Sequence, residues 1–264
     1  LTEKDIEVRD GFVYYSQAEG GEKTTDILGS ILTELLSSVP FNKTMIWPGS
    51  DIRFSRPVRW ILFMEDNRVT EFEFAGIKSG NKTYANRTSG NKELIVKSAD
   101  IDAYKDNLEE NHVMLSEFID SGLRYIAITE QMKEYNEKSD CIILPDRSTV
   151  LITENSLLTE CPVLITGEFD KRFLNLPAPI LATAMRQHQR YFAVFDKQKQ
   201  LTNQFAFISN NPNADENSQK RNHQRVLTAR LEDAEFYFNN DMKKTLDDYS
   251  DMLDDIVYFR HLGT

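Results

Sequence analysis

Apolar and polar positions alternate over residues 69–75, with Phe72 and Phe74 on one side and Glu71 and Glu73 on the other. This period of two predicts a half-buried strand. The apolar run Val58–Met64 precedes it across Glu65-Asp66-Asn67-Arg68, so the two runs predict a β-hairpin. Val8–Tyr15 reads as a strand or hairpin arm. Gly20-Gly21 then breaks the chain, and Thr25-Asp26 caps a predicted helix through about Ser38, ended with the help of Pro40. Gly76, Gly80 and Gly90 punctuate a loop-and-strand region.

The period then lengthens. Helices are predicted over Ala99–Asn111 and Leu115–Lys138, the second with Leu115, Ile119, Gly122 and Ile126 at three-to-four spacing. A loop around Pro145 leads to a short strand, Val163–Thr166, ending at Gly167. Leu181–Gln187 is predicted helical, Tyr191–Phe195 and Phe205–Ser209 are predicted strands, and Asn210-Asn211-Pro212-Asn213 is a loop. From Asp215 to Leu262 there is neither Pro nor Gly. Leu227, Leu231, Ala234, Phe238, Met242, Leu246, Tyr249 and Leu253 form one apolar stripe there. A run that long predicts two helices rather than one rod. The whole predicts an α+β protein with a mixed sheet and packed helices, a hairpin-and-helix segment before it and long helices after it.

Composition narrows the class. The chain has 264 residues, 40% hydrophobic and 28% charged, typical of a globular protein with a sizeable core. No apolar stretch approaches the roughly 20 residues that cross a bilayer, and no basic-then-apolar leader is present. A cytoplasmic location is therefore expected. Cys141 and Cys161 are too few and too far apart for a disulfide framework or a zinc site, which predicts two reduced thiols. The first residue is Leu1, and the last three, Leu262-Gly263-Thr264, follow directly on a helical pattern. A piece of a longer protein is expected.

The net charge of −11 argues against a protein coated for nucleic acid, but the charge is segregated. Residues 42–97 carry ten Lys/Arg against six Asp/Glu. Residues 217–231 carry Lys220, Arg221, Arg225 and Arg230 with no acid, whereas residues 232–255 hold nine acids against Lys243 and Lys244. Basic faces on an acidic protein follow.

No phosphate loop of the GxxxxGK[ST] type, no GxGxxG after a strand and no GxSxG elbow is present. His112, His188, His223 and His261 are scattered, and none makes an HExxH pair. No catalytic residue and no metal ligand is predicted. Three segments carry residues suited to phosphates and bases. Trp47–Trp60 mixes Arg53, Arg56 and Arg59 with aromatics, which suits phosphate forks and base stacking. The same arginines equally suit pairing with local acids beside a buried strand. Ala184–Phe195 places Arg186, His188 and Arg190 at a helix-to-strand junction. Ligands bind at such boundaries, but cations there also answer the helix dipole, and His188 reads as a structural hydrogen-bonder. Asn222–Phe238 places Arg225 and Arg230 off the apolar stripe, where Arg230 either faces a ligand or pairs with Asp233 or Glu235.

These segments in this order, with Phe74–Gly80 and the closing Leu262-Gly263-Thr264, resemble the β subunit of bacterial two-subunit glycyl-tRNA synthetases from about Met45 to the end of the chain. The resemblance implies a domain similar to the B3/B4 domain of the phenylalanyl-tRNA synthetase β subunit at residues 45–214. A strand-helix segment at 1–44 would precede it, and a helical region at 215–264 would lead into a truncated HD-type domain. It implies that ATP and Mg are used on the α subunit, with no cofactor held here. The implied partners are that α subunit, tRNA(Gly) and the remainder of the β subunit. On that basis tRNA contact maps onto Arg53, Arg56, Arg59, Arg186, Arg190, Arg225 and Arg230. The chain departs from the family pattern at Ile46-Trp47-Pro48, where Arg-Trp-Gly is usual, and at Ala85-Asn86-Arg87-Thr88, where Gly-His-Arg-Phe is frequent. The second change removes a titratable ring at position 86.

The resemblance leaves three functions in competition: a non-catalytic RNA-binding and subunit-docking module, hydrolytic editing of mischarged tRNA, and a docking scaffold alone. Editing answers a smaller competitor that fits the synthetic pocket, where one methylene gives only about 1–3 kcal/mol of discrimination. Glycine has no smaller competitor, which disfavours editing. The acidic 232–255 stretch suits a protein contact better than RNA.

Overall fold

The computed structural model describes residues 6–15, 20–21, 24–115, 122–144, 149–253 and 256–257. The chain divides into two compact units, residues 1–83 with 93–101 and residues 84–92 with 102–264. Both combine helices with short strands, and both parallel and antiparallel pairing occur, so the fold is mixed α+β as its periodicities predict.

In the first unit, β1 (Ile6–Arg9) and β2 (Phe12–Tyr15) form a hairpin closed by the two-residue turn Asp10-Gly11. Helix α1 (Thr24–Ser38) half-buries Leu28, Leu32 and Leu36 and leaves the neighbouring column Ile27, Ile31 and Leu35 exposed. Strands β3 (Met45–Ile46) and β4 (Arg53–Phe54) pair antiparallel, and the indole Nε1 of Trp47 donates to the Phe54 carbonyl at 3.0 Å.

The hairpin predicted over residues 58–75 is shorter than its pattern suggested. Only β6 (Met64–Glu65) and β7 (Arg68–Val69) pair across Asp66-Asn67. Beyond them β8 (Glu73–Phe74) turns back on β9 (Ile77–Gly80), which also takes β5 (Ile61–Leu62) as a parallel neighbour. The alternation nevertheless holds: Phe72 and Phe74 are buried, and Glu71 and Glu73 are exposed. Gly76 makes the β8–β9 turn at φ +76°, and a Cβ there would stand 2.9 Å from the Gly49 carbonyl oxygen. Both the backbone angle and the space demand glycine. Strands β10 (Lys82–Tyr84) and β11 (Glu93–Ile95) form a further pair, with Lys82 bridging to Glu93 at 2.8 Å.

The second unit is built on an antiparallel sheet of order β12 (Cys141–Ile142), β14 (Phe192–Asp196), β15 (Leu201–Ser209) and β13 (Val163–Glu168). Period-two alternation sends its apolar side chains to two cores. Phe192, Val194 and Ala206 pack with Ile128 and Met132 of α3 (Leu123–Lys138) and with Leu151 and Ile152 of α4 (Thr149–Leu158). Tyr191, Phe205 and Phe207 face the other way, toward Leu181 of α5 (Ala178–Thr183) and Leu227 and Leu231 of α6 (Glu216–Asp241). Helix α2 (Ile101–Glu110) adds buried Leu108 to this unit.

Three local readings change. Helix α3 starts at Leu123, with Gly122 as its N-cap, so Leu115 lies outside it and Ile119 outside the described residues. Its inward face is Ile128 and Met132 flanked by Tyr125 and Tyr135, and Ile126 is exposed. Gly167 does not end β13; the strand runs through it to Glu168. The long C-terminal run is two helices, as expected, since α7 (Leu246–Met252) starts anew at a Thr245–Asp248 capping box. That break ends the buried stripe. Leu227 and Leu231 are fully buried and Phe238 packs on the core, but Met242, Leu246 and Leu253 are 60–88% exposed.

Candidate nucleic-acid interface

Arg53, Arg56 and Arg59 lie in the first unit and are exposed. Arg53 is held at its base, Nε donating to Thr44 Oγ1 at 3.1 Å and Nη2 to the Thr44 carbonyl at 2.9 Å. The Arg59 guanidinium sits 5.7 Å from the centre of the Trp60 ring, and Trp60 is itself 39% exposed rather than buried. Among the described residues no ion pair joins any of these three arginines to an acid. Among the described residues, the alternative that the sequence left open, arginines paired to acids beside a buried strand, is not the arrangement found.

Arg186, Arg190, Arg225 and Arg230 lie in the second unit. Helix α5 widens at Ala184–Gln189 into a π-helical turn that carries Arg186. Such turns are rare and concentrate at functional sites. Arg186 and His188 are exposed, and among the described residues neither has an acid or hydrogen-bond partner through its side chain. Arg190 ends the turn in the left-handed region at φ 57°, a conformation that costs a non-glycine residue roughly 1–2 kcal/mol. Two consecutive residues of α4 hold it there: Asn155 Nδ2 donates to its carbonyl at 3.3 Å, and Glu154 Oε2 lies 3.4 Å from its Nε. Both partners of that ion pair are about half exposed, and such pairs contribute only about 0–1 kcal/mol. Arg190 is thus oriented without being strongly neutralised.

Arg225 and Arg230 are both exposed on α6. Five residues at 3.6 per turn separate them by roughly 140°, so they do not share a face. The buried column through Leu227 and Leu231 places Arg225 on the outward side beside Arg221, four residues earlier, and Arg230 on a flank. No ion pair joins Arg230 to Asp233 or Glu235 among the described residues. Glu232 instead takes Arg172, at 3.0 Å.

One pair escaped the sequence reading. The Tyr191 hydroxyl lies 2.7 Å from His223 Nδ1, joining the residue after the π-helical turn to the first half of α6. The His223 ring stacks on Phe207 at 3.8 Å with an interplanar angle of 20°, and Tyr191 stacks on Phe205 at 5.0 Å. Burial holds the imidazole below its ordinary pKa and pushes the Tyr191 phenol up to about 12. Both groups are therefore neutral at pH 7. The signal was available: His223 precedes Leu227 and Leu231 by four and eight residues and so lies on the buried stripe. A polar ring there requires a partner.

A family model described as glycyl-tRNA synthetase beta subunit matches residues 1–264. The chain belongs to the glycyl-tRNA synthetase beta subunit family. It is 33% identical over 264 residues to the glycine–tRNA ligase beta subunit of Listeria monocytogenes, covering all of this chain and 37% of that protein. It is 36% identical over 244 residues to that of Thermodesulfovibrio yellowstonii, covering 92% of this chain and 35% of that protein. The Clostridioides difficile beta subunit is 34% identical over 268 residues, covering the whole chain and 38% of that protein. The chain thus spans little more than a third of the length of these curated relatives.

The departure at position 86 has a structural account. Asn86 is fully buried, accepts from the Thr88 backbone N–H at 3.0 Å and from its hydroxyl at 2.6 Å, and donates to Asn210 Oδ1 at 3.2 Å. That oxygen also accepts from the backbone N–H groups of Glu160 and Cys161, at 2.8 and 3.1 Å. Here Asn86 caps a turn and ties distant segments together. Among the described residues no helix is long and apolar enough to cross a membrane, and no three His, Cys, Asp or Glu side chains gather to hold a metal ion.

Proposed function

We propose that this segment binds tRNA(Gly) for a glycine–tRNA ligase, without catalytic residues of its own, while ATP and Mg serve glycine activation on the α subunit. Family membership supports the ligase role. The observation that carries the local reading is that Arg186 and Arg225 are exposed and have no acid partner among the described residues, in a protein of net charge −11. An acidic protein that leaves guanidinium groups unpaired on its surface keeps them available for anions. The planar fork of arginine matches the two free oxygens of a phosphodiester. Arg53, Arg56, Arg59, Arg190 and Arg230 complete the proposed set, with Trp60 beside Arg59 as a surface on which a base can stack.

The test is charging by the two-subunit enzyme. Arg186→Ala and Arg225→Ala should each raise KM for tRNA(Gly) several-fold, with the melting temperature unchanged because neither side chain is packed. Wild-type KM in both variants would contradict the reading.

A second reading concerns a different surface. Phe236, Tyr237, Met242 and Leu246 are 63–88% exposed among the acids of residues 232–251. The negative charge of this stretch disfavours RNA, and its exposed large apolar side chains suit a protein partner carrying basic groups. We assign this stretch to assembly, with the α subunit or the remainder of the β subunit. Leu246→Glu should then weaken subunit assembly while leaving tRNA binding by the assembled enzyme unchanged.

A further inference from the structure

We propose that Tyr191 and His223 are positioning residues for tRNA binding: their hydrogen bond fixes the rotation of α6 against the π-helical turn and so sets Arg225 relative to Arg186. The inference rests on the tRNA reading of those arginines. Two kinds of contact join these elements, apolar packing and a hydrogen bond. Leu181 and Met185 on one side and Leu227 and Leu231 on the other belong to one apolar core. Apolar burial is non-directional, so it constrains a helix's rotation and axial height less sharply than a directed contact does. A hydrogen bond has a preferred length and angle and constrains both more sharply. The Tyr191–His223 bond, at 2.7 Å, is such a contact within that core, where Tyr191 is only 4% exposed.

Covalent geometry carries the constraint to both arginines. Tyr191 follows Arg190 directly, and its N–H donates to the Met185 carbonyl at 3.0 Å, which closes the turn holding Arg186. His223 lies two residues before Arg225 on an unbroken helix, so a rotation that moves the imidazole moves the guanidinium. The stack of His223 on Phe207 fixes the ring plane, so Nδ1 points at the phenol. Gln224 Nε2, donating to the Glu168 carbonyl at 2.9 Å, limits the same helix at an exposed edge. Neither Tyr191 nor His223 needs to touch RNA.

The test uses the two-subunit enzyme. Tyr191→Phe keeps the ring and removes the hydroxyl; His223→Leu keeps apolar bulk and removes the ring nitrogen that bonds it. His223→Asn places an amide atom near the position of Nδ1 and restores the bond. Tyr191→Phe and His223→Leu should each raise KM for tRNA(Gly) roughly three- to tenfold, the equivalent of one net hydrogen bond, with kcat unchanged at saturating tRNA. His223→Asn should return KM to near wild type, and Tyr191→Phe should add nothing in an Arg186→Ala, Arg225→Ala background. A Tyr191→Phe enzyme with lowered melting temperature but wild-type KM, while Arg186→Ala raises KM, overturns the positioning role and leaves the tRNA reading standing. Wild-type KM in the arginine variants as well overturns both.

Discussion

Gly167 on β13 faces Phe205 on β15 directly across the strand pair, and a Cβ at position 167 would lie 2.8 Å from Cζ of that ring. The aromatic ring fills the space that a side chain would occupy, and the ring in turn stacks on Tyr191. Gly167→Ala must therefore displace Phe205 or bend β13. Overpacking of this kind costs about 1–3 kcal/mol. For a chain of this size the melting temperature should fall by roughly 2–4 °C per kcal/mol, measurable by thermal unfolding. An unchanged melting temperature would mean that the strand gives way freely.

Asn210 anchors the polar network of the second unit. Its side-chain oxygen serves Asn86 and two backbone N–H groups. Asn210→Ala leaves those donors unpaired, at a cost of about 1–3 kcal/mol. Hydrogen exchange should accelerate at the amides of Glu160 and Cys161, whereas the β6–β7 pairing in the first unit should be unaffected.

Stability should respond to pH through the Tyr191–His223 pair. The folded imidazole titrates below its ordinary value near 6.5, so the unfolded chain binds more protons as pH falls through that value. The stabilisation is present above pH 6.5 and is lost as pH drops toward the folded pKa. The phenol acts at the other end: raised to about 12, it contributes stability below pH 10 that is lost as pH rises through 12. Melting temperature against pH in His223→Asn should show a shallower acid slope than wild type.

These pairings mark where sequence reasoning reached and where it stopped. Period two placed Phe72 and Phe74 inside because alternation is a local property. Period two did not place the pairing: the preceding run meets this segment only at Met64 and Val69, and Phe74 turns back at Ala75-Gly76 to pair with Ile77 of β9, a choice that alternation does not encode. The helical stripe placed Leu227 and Leu231 correctly and overreached at Met242 and Leu246. Spacing states which face an element would bury, not whether anything covers it. Gly167 read as punctuation because glycine breaks strands more often than it accommodates a ring across one. The arginines were legible by type and order; the π-helical turn under Arg186, the left-handed Arg190 and its hold by Glu154 and Asn155 were not, being set by tertiary packing.

The central claim is that exposed, unpaired arginines meet tRNA phosphates. Its most direct test is the salt dependence of tRNA(Gly) binding by the two-subunit enzyme, wild type against Arg186→Ala and Arg225→Ala. Each phosphate contact removed should lower the slope of log K against log salt by about 0.7–0.9, so the lines should converge at high salt. Parallel lines with the wild-type slope would show that neither arginine meets a phosphate.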